Sequence, residues 1–179
     1  MNKIHYNLTL EEIKKFTKDC NCNHCRNGCL FGSGSMTEED ITNMSELLKI
    51  NEEKLKEKYL EEVEKYHTKR YRPKIIRNGK PYGKCIFYDE KIGCKVHKAK
   101  PLECSIAMGC TEEGPSLIEW FHAHYFLDLK NEDSIRSWNQ MVKIKGTIPG
   151  ATIEELIPDK KTRKLILERF EKNGKNNRN

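Results

Sequence analysis

The sequence contains no run approaching the roughly 18–20 apolar residues that a membrane-spanning helix needs, and Met1 to Lys15 carry no basic-then-apolar leader pattern. No phosphate-binding G-x-x-x-x-G-K-[ST] loop and no G-x-G-x-x-G dinucleotide fingerprint is present. No G-x-S-x-G nucleophile elbow is present either. Gly32-Ser-Gly34-Ser is too short for a phosphate loop, is not followed by Lys-Ser or Lys-Thr, and reads as a turn. No internal repeat of useful length occurs. These absences argue against the common nucleotide-dependent and hydrolase chemistries and leave no catalytic constellation. They point to a cytoplasmic chain, where thiols stay reduced.

What the sequence does have is thiols. Eight cysteines stand in 179 residues, in two blocks: Cys20, Cys22, Cys25 and Cys29, then Cys85, Cys94, Cys104 and Cys110. In a reducing compartment such clusters grip metal more often than they pair; in an exported chain the eight would form four disulfides. Cys22-x-x-Cys25 has the two-residue gap of zinc knuckles and iron–sulfur loops, and Cys25-x-x-x-Cys29 continues the turn. Cys85 and Cys94 flank a hairpin, and Cys104 follows Pro101 at a helix start, where the dipole favours thiolate. Cys94-x-x-His97 also has ligand spacing. A tetrahedral ion takes four ligands, so eight cysteines allow two ions, an ion and a cluster, or one site with spare thiols. The metal is expected on Cys22, Cys25, Cys29, Cys85, Cys94 and Cys104. Cys20, Cys110 and His97 are further candidates. The six are read as one site in two halves, Cys22, Cys25 and Cys29 facing Cys85, Cys94 and Cys104. The centre is zinc or iron, the iron as an ion or as a [4Fe–4S] cluster.

Charged residues make up 34 % of the chain against 36 % hydrophobic, with a net charge of +6. That balance is polar yet foldable, and it permits nucleic-acid contacts without requiring them. Arg26, Lys84, Lys95, Lys98 and Lys100 lie beside candidate ligands, where cations would offset the charge of a thiolate site; in a lysine-rich chain they also read as ordinary surface. His122 and His124, two apart on an apolar stretch, would fall on different faces of a helix and read as packing or hydrogen-bonding residues.

The pattern predicts an α+β, mostly helical domain with a short hairpin and a C-terminal helical extension. Residues 1–115 would form the metal-stapled domain, 116–172 the extension packed on it, and 173–179 a disordered tail. Thr9 and Glu12 have capping-box spacing for a helix over 9–19. Residues 20–36 read as irregular loop, Thr37 opens the next helix, and Asn51 opens one over about 52–66. Asn78-Gly79 signals a small hairpin turn, Cys85 to Tyr88 a short strand, and Lys95 to His97 its return. Pro101 suits the first turn of a helix. Apolar residues over 116–129 favour a buried helix, and further helices fit 134–145 and 159–171.

Cys22-x-x-Cys25-x-x-Gly28-Cys29, then Gly83-Lys-Cys85-Ile-Phe, Cys94-Lys-Val-His97 and Lys100-Pro101-x-x-Cys104, resembles the YkgJ-type cysteine-cluster family of zinc- or iron-chelating domains. The resemblance covers about residues 15–110. Its usual first motif is Cys-x-x-Cys-x-x-Cys-Cys; here Gly28 holds the penultimate cysteine position, and Cys20 would restore the thiol count. The usual Arg-Pro is Lys100-Pro101, and the Arg that often follows the last cysteine is Ser105. The resemblance implies a metal-chelating domain. One branch of relatives, the flagellin lysine-N-methylases, implies a second function, an S-adenosylmethionine-dependent enzyme, although no methyl-donor pocket is visible. A zinc module binding nucleic acid is a third, suggested only by charge.

Overall fold

The computed structural model describes residues 3–18, 20, 22–107 and 109–176, with side chains up to Glu168. The chain is α+β and mostly helical, as its patterning predicts. It divides into two compact units: 9–64 with 69–118, and 1–8, 65–68 and 119–179.

In the first unit, α1 (Leu10–Lys14) begins at a capping box between Thr9 and Glu12 and stops within five residues. The loop expected over 20–36 is in part a helix: α2 (Asn23–Phe31) starts behind Cys22. Gly28 and the two asparagines of this stretch disfavour helix locally. The helix instead lies against the strand that holds Cys85. A second capping box, Thr37 with Asp40, opens α3 (Glu38–Leu48). The half-buried Asp40 Oδ2 accepts from Thr37 N (2.7 Å) and also from Leu102 N (3.0 Å), so one oxygen serves the starts of two helices.

Asn51 caps α4 (Glu52–Tyr59). This helix ends seven residues earlier than its pattern predicts, and the chain turns into β1 (Leu60–Lys65), which pairs with β2 (Thr68–Pro73). The reason lies outside the local sequence. Lys74 N donates to Tyr59 O (2.8 Å), and the Lys74 ammonium donates to Glu57 O (2.6 Å) and Lys58 O (3.2 Å). The last carbonyls of α4 are thereby satisfied from twenty residues away or less. On the hairpin, Glu61 takes hydrogen bonds from Arg72 (2.9 Å) and Arg77 (2.6 Å).

Two pairs of two-residue strands and their turns then set the second cysteine block. β3 (Ile75–Ile76) pairs antiparallel with β4 (Lys84–Cys85), Ile75 opposite Cys85. Asn78 and Gly79 both have positive φ at the turn between them, as their sequence signals. β5 (Tyr88–Asp89) pairs with β6 (Gly93–Cys94), Tyr88 opposite Cys94. The expected returning strand over Lys95–His97 is absent: Val96 turns the chain into a 3₁₀ helix, His97–Ala99. Pro101 stands at the N-cap of α5 (Leu102–Ile106), which carries Cys104. The core joins Met36, Ile41, Met44, Leu55, Leu60, Phe87 and Val96 to Cys85, with Cys29 and Cys94 packed against it.

The second unit holds most of α6 (Gly114–Tyr125), then α7 (Glu132–Lys145), α8 (Ile153–Leu156) and α9 (Lys160–Asn176). Trp120, Phe121, Phe126, Trp138, Ile148 and Ile153 are buried, and the Trp138 indole donates to Ala151 O at 2.7 Å. The short α8, capped by Thr152 and Glu155, was not foreseen. Residues 173–176, expected in a disordered tail, continue α9; 177–179 lie outside the described residues.

Candidate metal centre

All eight cysteines are free thiols. The fold sorts them into two sets of four, and not along the division that spacing suggests. Cys20, Cys22, Cys25 and Cys110 bring their sulfurs within 4.8 Å of one another; among the described residues this is the one group of three or more ligand atoms so close. Cys20 Sγ lies 3.7 Å from Cys110 Sγ, and Cys25 Sγ 3.5 Å from it. These four form the outer set: Cys110 is exposed, the others half-buried. Cys29, Cys85, Cys94 and Cys104 form the inner set, around a cavity that Cys20 and Cys25 also line. Helix α2 joins the two. Cys25 and Cys29 are one turn apart, about 6 Å along the axis, and each belongs to a different set.

The sequence reading placed Cys20 and Cys110 at the margin, and placed Cys22 and Cys25 with Cys29. The short α5 ends at Ile106, and Gly109, the residue before Cys110, lies beside His24 of α2, where an added Cβ would be 3.5 Å from its carbonyl oxygen. Cys20 takes a place in the outer set, whereas Gly28, where the motif that the sequence resembles has cysteine, has no neighbour within 4 Å of an added Cβ.

The electrostatics of the two sets differ. In the outer set, the Cys25 backbone N–H and then the Cys20 thiol hold Cys22 down to about 6. Cys25 is pushed up to about 12, by burial first and by the hydrogen-bonded thiols of Cys110, Cys22 and Cys20 next. Four sulfurs this close cannot all carry charge without a counter-ion, so an arriving divalent cation must displace protons. In the inner set, burial is the leading influence on every thiol. It raises Cys85 to about 11 and Cys104 well above the ordinary range, and it raises Cys29 and Cys94. Backbone N–H groups work the other way: Gly34 N donates to Cys104 Sγ at 3.2 Å, and the amides of Phe87 and Val96 favour thiolate at Cys85 and Cys94. Only glycine fits at position 34, because an added Cβ would stand 2.7 Å from both Cys104 N and Cys104 Sγ.

A cavity of about 70 Å³ is lined by Cys20 and Cys25 of the outer set and by all four inner cysteines. Phe87, Val96, Pro73 and Pro101 give it apolar walls, and Arg26, His97 and Lys100 also line it. Of the cations flagged in the sequence, Lys84 and Lys95 lie by Glu90 (3.4 Å) and Asp89 (3.7 Å). Lys100 acts on the site itself, favouring thiolate at Cys29 and Cys94. His122 and His124 lie in the other unit. His122 Nε2 is 2.7 Å from the Lys65 ammonium. His124 bonds to Trp120 O through Nδ1 (2.9 Å) and stacks on Trp120 and Tyr6.

The donors test well against a soft, thiophilic metal. A tetrahedral tetrathiolate ion with bonds of about 2.3 Å places its sulfurs about 3.8 Å apart, and the outer distances of 3.5 and 3.7 Å match. A cubane cluster sets an iron between its centre and each thiolate and so needs wider spacing; the outer set is too tight for it.

A small, mostly helical α+β chain whose short strands and helix starts present two sets of thiols belongs to the class of cysteine-cluster proteins. Residues 21–124 match the family CxxCxxCC, described as "Putative zinc- or iron-chelating domain", and the chain belongs to that family. No curated protein and no solved structure matches it. Among the described residues, no helix is long and apolar enough to cross a membrane.

Proposed function

We propose that this protein is a metal carrier or store, which holds a thiophilic cation on the outer set Cys20, Cys22, Cys25 and Cys110. The observation that supports this most directly is four reduced sulfurs within 4.8 Å of one another, with two of their separations at the edge length of a tetrahedral thiolate ion. Cys29, Cys85, Cys94 and Cys104 are the remaining ligands, with His97 at the cavity wall as a reserve donor. Zinc(II) and iron(II) both suit four thiolates. The ion binds as protons leave, and its binding free energy becomes folding free energy.

Anaerobic purification of the full chain followed by elemental analysis tests the reading. The expected result is stoichiometric zinc or iron, lost together with domain stability in Cys25→Ser. A chain that retains neither metal, or a Cys25→Ser variant with full metal content, overturns it. A second reading, favoured by the looser sulfurs and the cavity of the inner set, places a [4Fe–4S] cluster there; acid-labile sulfide in the same preparation is its signature. Neither the methylase-like nor the nucleic-acid reading gains an observation from the site.

A further inference from the structure

The two sets differ in access and in readiness. The outer set is drawn from the start of α2, the residues just before it and the segment after α5; it includes the exposed Cys110, and its sulfurs lie within 4.8 Å of one another. The inner set is packed on the hydrophobic core: Cys85 belongs to it, and Cys29 and Cys94 lie against it. Among the described residues its four sulfurs are not gathered within 4.8 Å of one another as those of the outer set are. One cavity is lined by Cys20 and Cys25 from the outer set and by all four cysteines of the inner set. The helix α2 sets Cys25 and Cys29 one turn apart on the path between them, and the cationic side chain of Lys100 belongs to a residue of the same cavity wall.

We propose that the eight cysteines form a two-station relay, in which a divalent thiophilic cation is captured at the outer set and passed through the shared cavity to the inner set, where it is retained. The inference rests on the metal-chelating reading above and adds to it an order of filling. The transfer is ligand exchange without redox change. Cys29 forms a metal–sulfur bond as Cys110 gives one up, and the proton of the incoming thiol passes to the departing thiolate. Repetition at Cys85, Cys94 and Cys104 completes the move, with Cys25 the last outer ligand to leave. At no step does the ion need to shed all its thiolates into water, which is what makes exchange between adjacent tetrathiolate sites faster than release and recapture.

Cobalt(II) is the probe, because its thiolate charge-transfer and d–d absorptions report each sulfur bound. Metal-stripped, reduced full chain is mixed anaerobically with cobalt(II) in a stopped-flow spectrometer. The wild type is expected to bind two equivalents, one in a fast phase and one in a slow phase. Cys94→Ser should keep the fast phase and lose the slow one. Cys110→Ser, an exposed substitution, should lose the fast phase and fill the inner set more slowly by about tenfold or more, while reaching the same inner endpoint. Cys20→Ala provides an independent outer variant with the same expectation. Inner filling at the wild-type rate in both outer variants overturns the relay and leaves chelation standing, and so does binding of a single equivalent. A wild-type chain that binds no cobalt overturns both.

Discussion

Gly34→Ala isolates one contact on which the inner set depends. The added methyl would stand 2.7 Å from Cys104 N and Sγ and 3.1 Å from Glu103 Cβ. Ordinary carbon contacts lie at about 3.5–4.0 Å, so α5 must retreat by about 1 Å. The start of that helix is not free to do so: Glu103 accepts from Ser35 N, and Leu102 N is held by Asp40. Overpacking of this kind costs about 1–3 kcal/mol. Loosening the Gly34 N–H to sulfur bond and the Ser35 bond adds about 1–2 kcal/mol. The total of about 2–5 kcal/mol corresponds to a fall of about 4–20 °C in Tm for a chain of this size. Gly32→Ala is the control. Two residues away, its φ of −178° is ordinary extended backbone, and an added Cβ meets nothing within 4 Å. It should change stability by less than about 0.5 kcal/mol. Far-UV circular dichroism during heating, on metal-free reduced protein, reads both variants. Equal midpoints for the two would refute the argument that the Gly34 backbone is fitted to the Cys104 sulfur. Inner-set cobalt binding should weaken in Gly34→Ala alone.

Other consequences can be measured separately. Gly28→Cys, which fills open space on α2 where the motif that the sequence resembles has a thiol, should fold, and should gain about 0.5–1 kcal/mol of helix stability in urea unfolding. Glu61 is held below the usual carboxylate range by its hydrogen bond from Arg77 and then by Arg72. The stability this contributes is present above the ordinary carboxylate pKa and lost as pH falls through the depressed one. Glu61→Gln should therefore cost up to about 1 kcal/mol at pH 7 and nothing in acid below the depressed pKa; a constant cost at all pH values would contradict the pairing. Burial holds His124 below the usual imidazole value against its bonds to Trp120 and Tyr6. Its neutral form is favoured by folding, so stability should decline as pH drops from the unfolded histidine pKa towards the lowered one. His124→Phe should flatten that part of the unfolding profile.

The elements legible in sequence are those whose cause is local. Thr9 with Glu12 caps a helix as its spacing announces, and Thr37 opens the next. Asn78-Gly79 turns with both φ angles positive, and Pro101 precedes the helix of Cys104. The elements that were missed have distant causes. The Glu- and Lys-rich run after Tyr59 has helical composition, yet Lys74 closes α4 from the far side of a hairpin. The tip of that hairpin is Tyr66-His67, both at positive φ, a pair with none of the usual turn chemistry. The same limit applied to the site. Spacing put Cys22, Cys25 and Cys29 together because it sees only one stretch. The helix between Asn23 and Phe31 points Cys25 and Cys29 to different partners, and Cys110 arrives from eighty-five residues further on.

The double acceptor Asp40 has a consequence for observing the protein. Its Oδ2 holds the amide of Thr37 and the amide of Leu102 together, and Leu102 lies two residues before Cys104. A shift of α5 as the inner sulfurs gather must change the bond at Leu102, and with it the sharing of that oxygen. Amide hydrogen exchange at Thr37, on a different helix from any cysteine, then becomes a remote gauge of whether the inner thiols are apart or drawn in, without a probe attached to any sulfur.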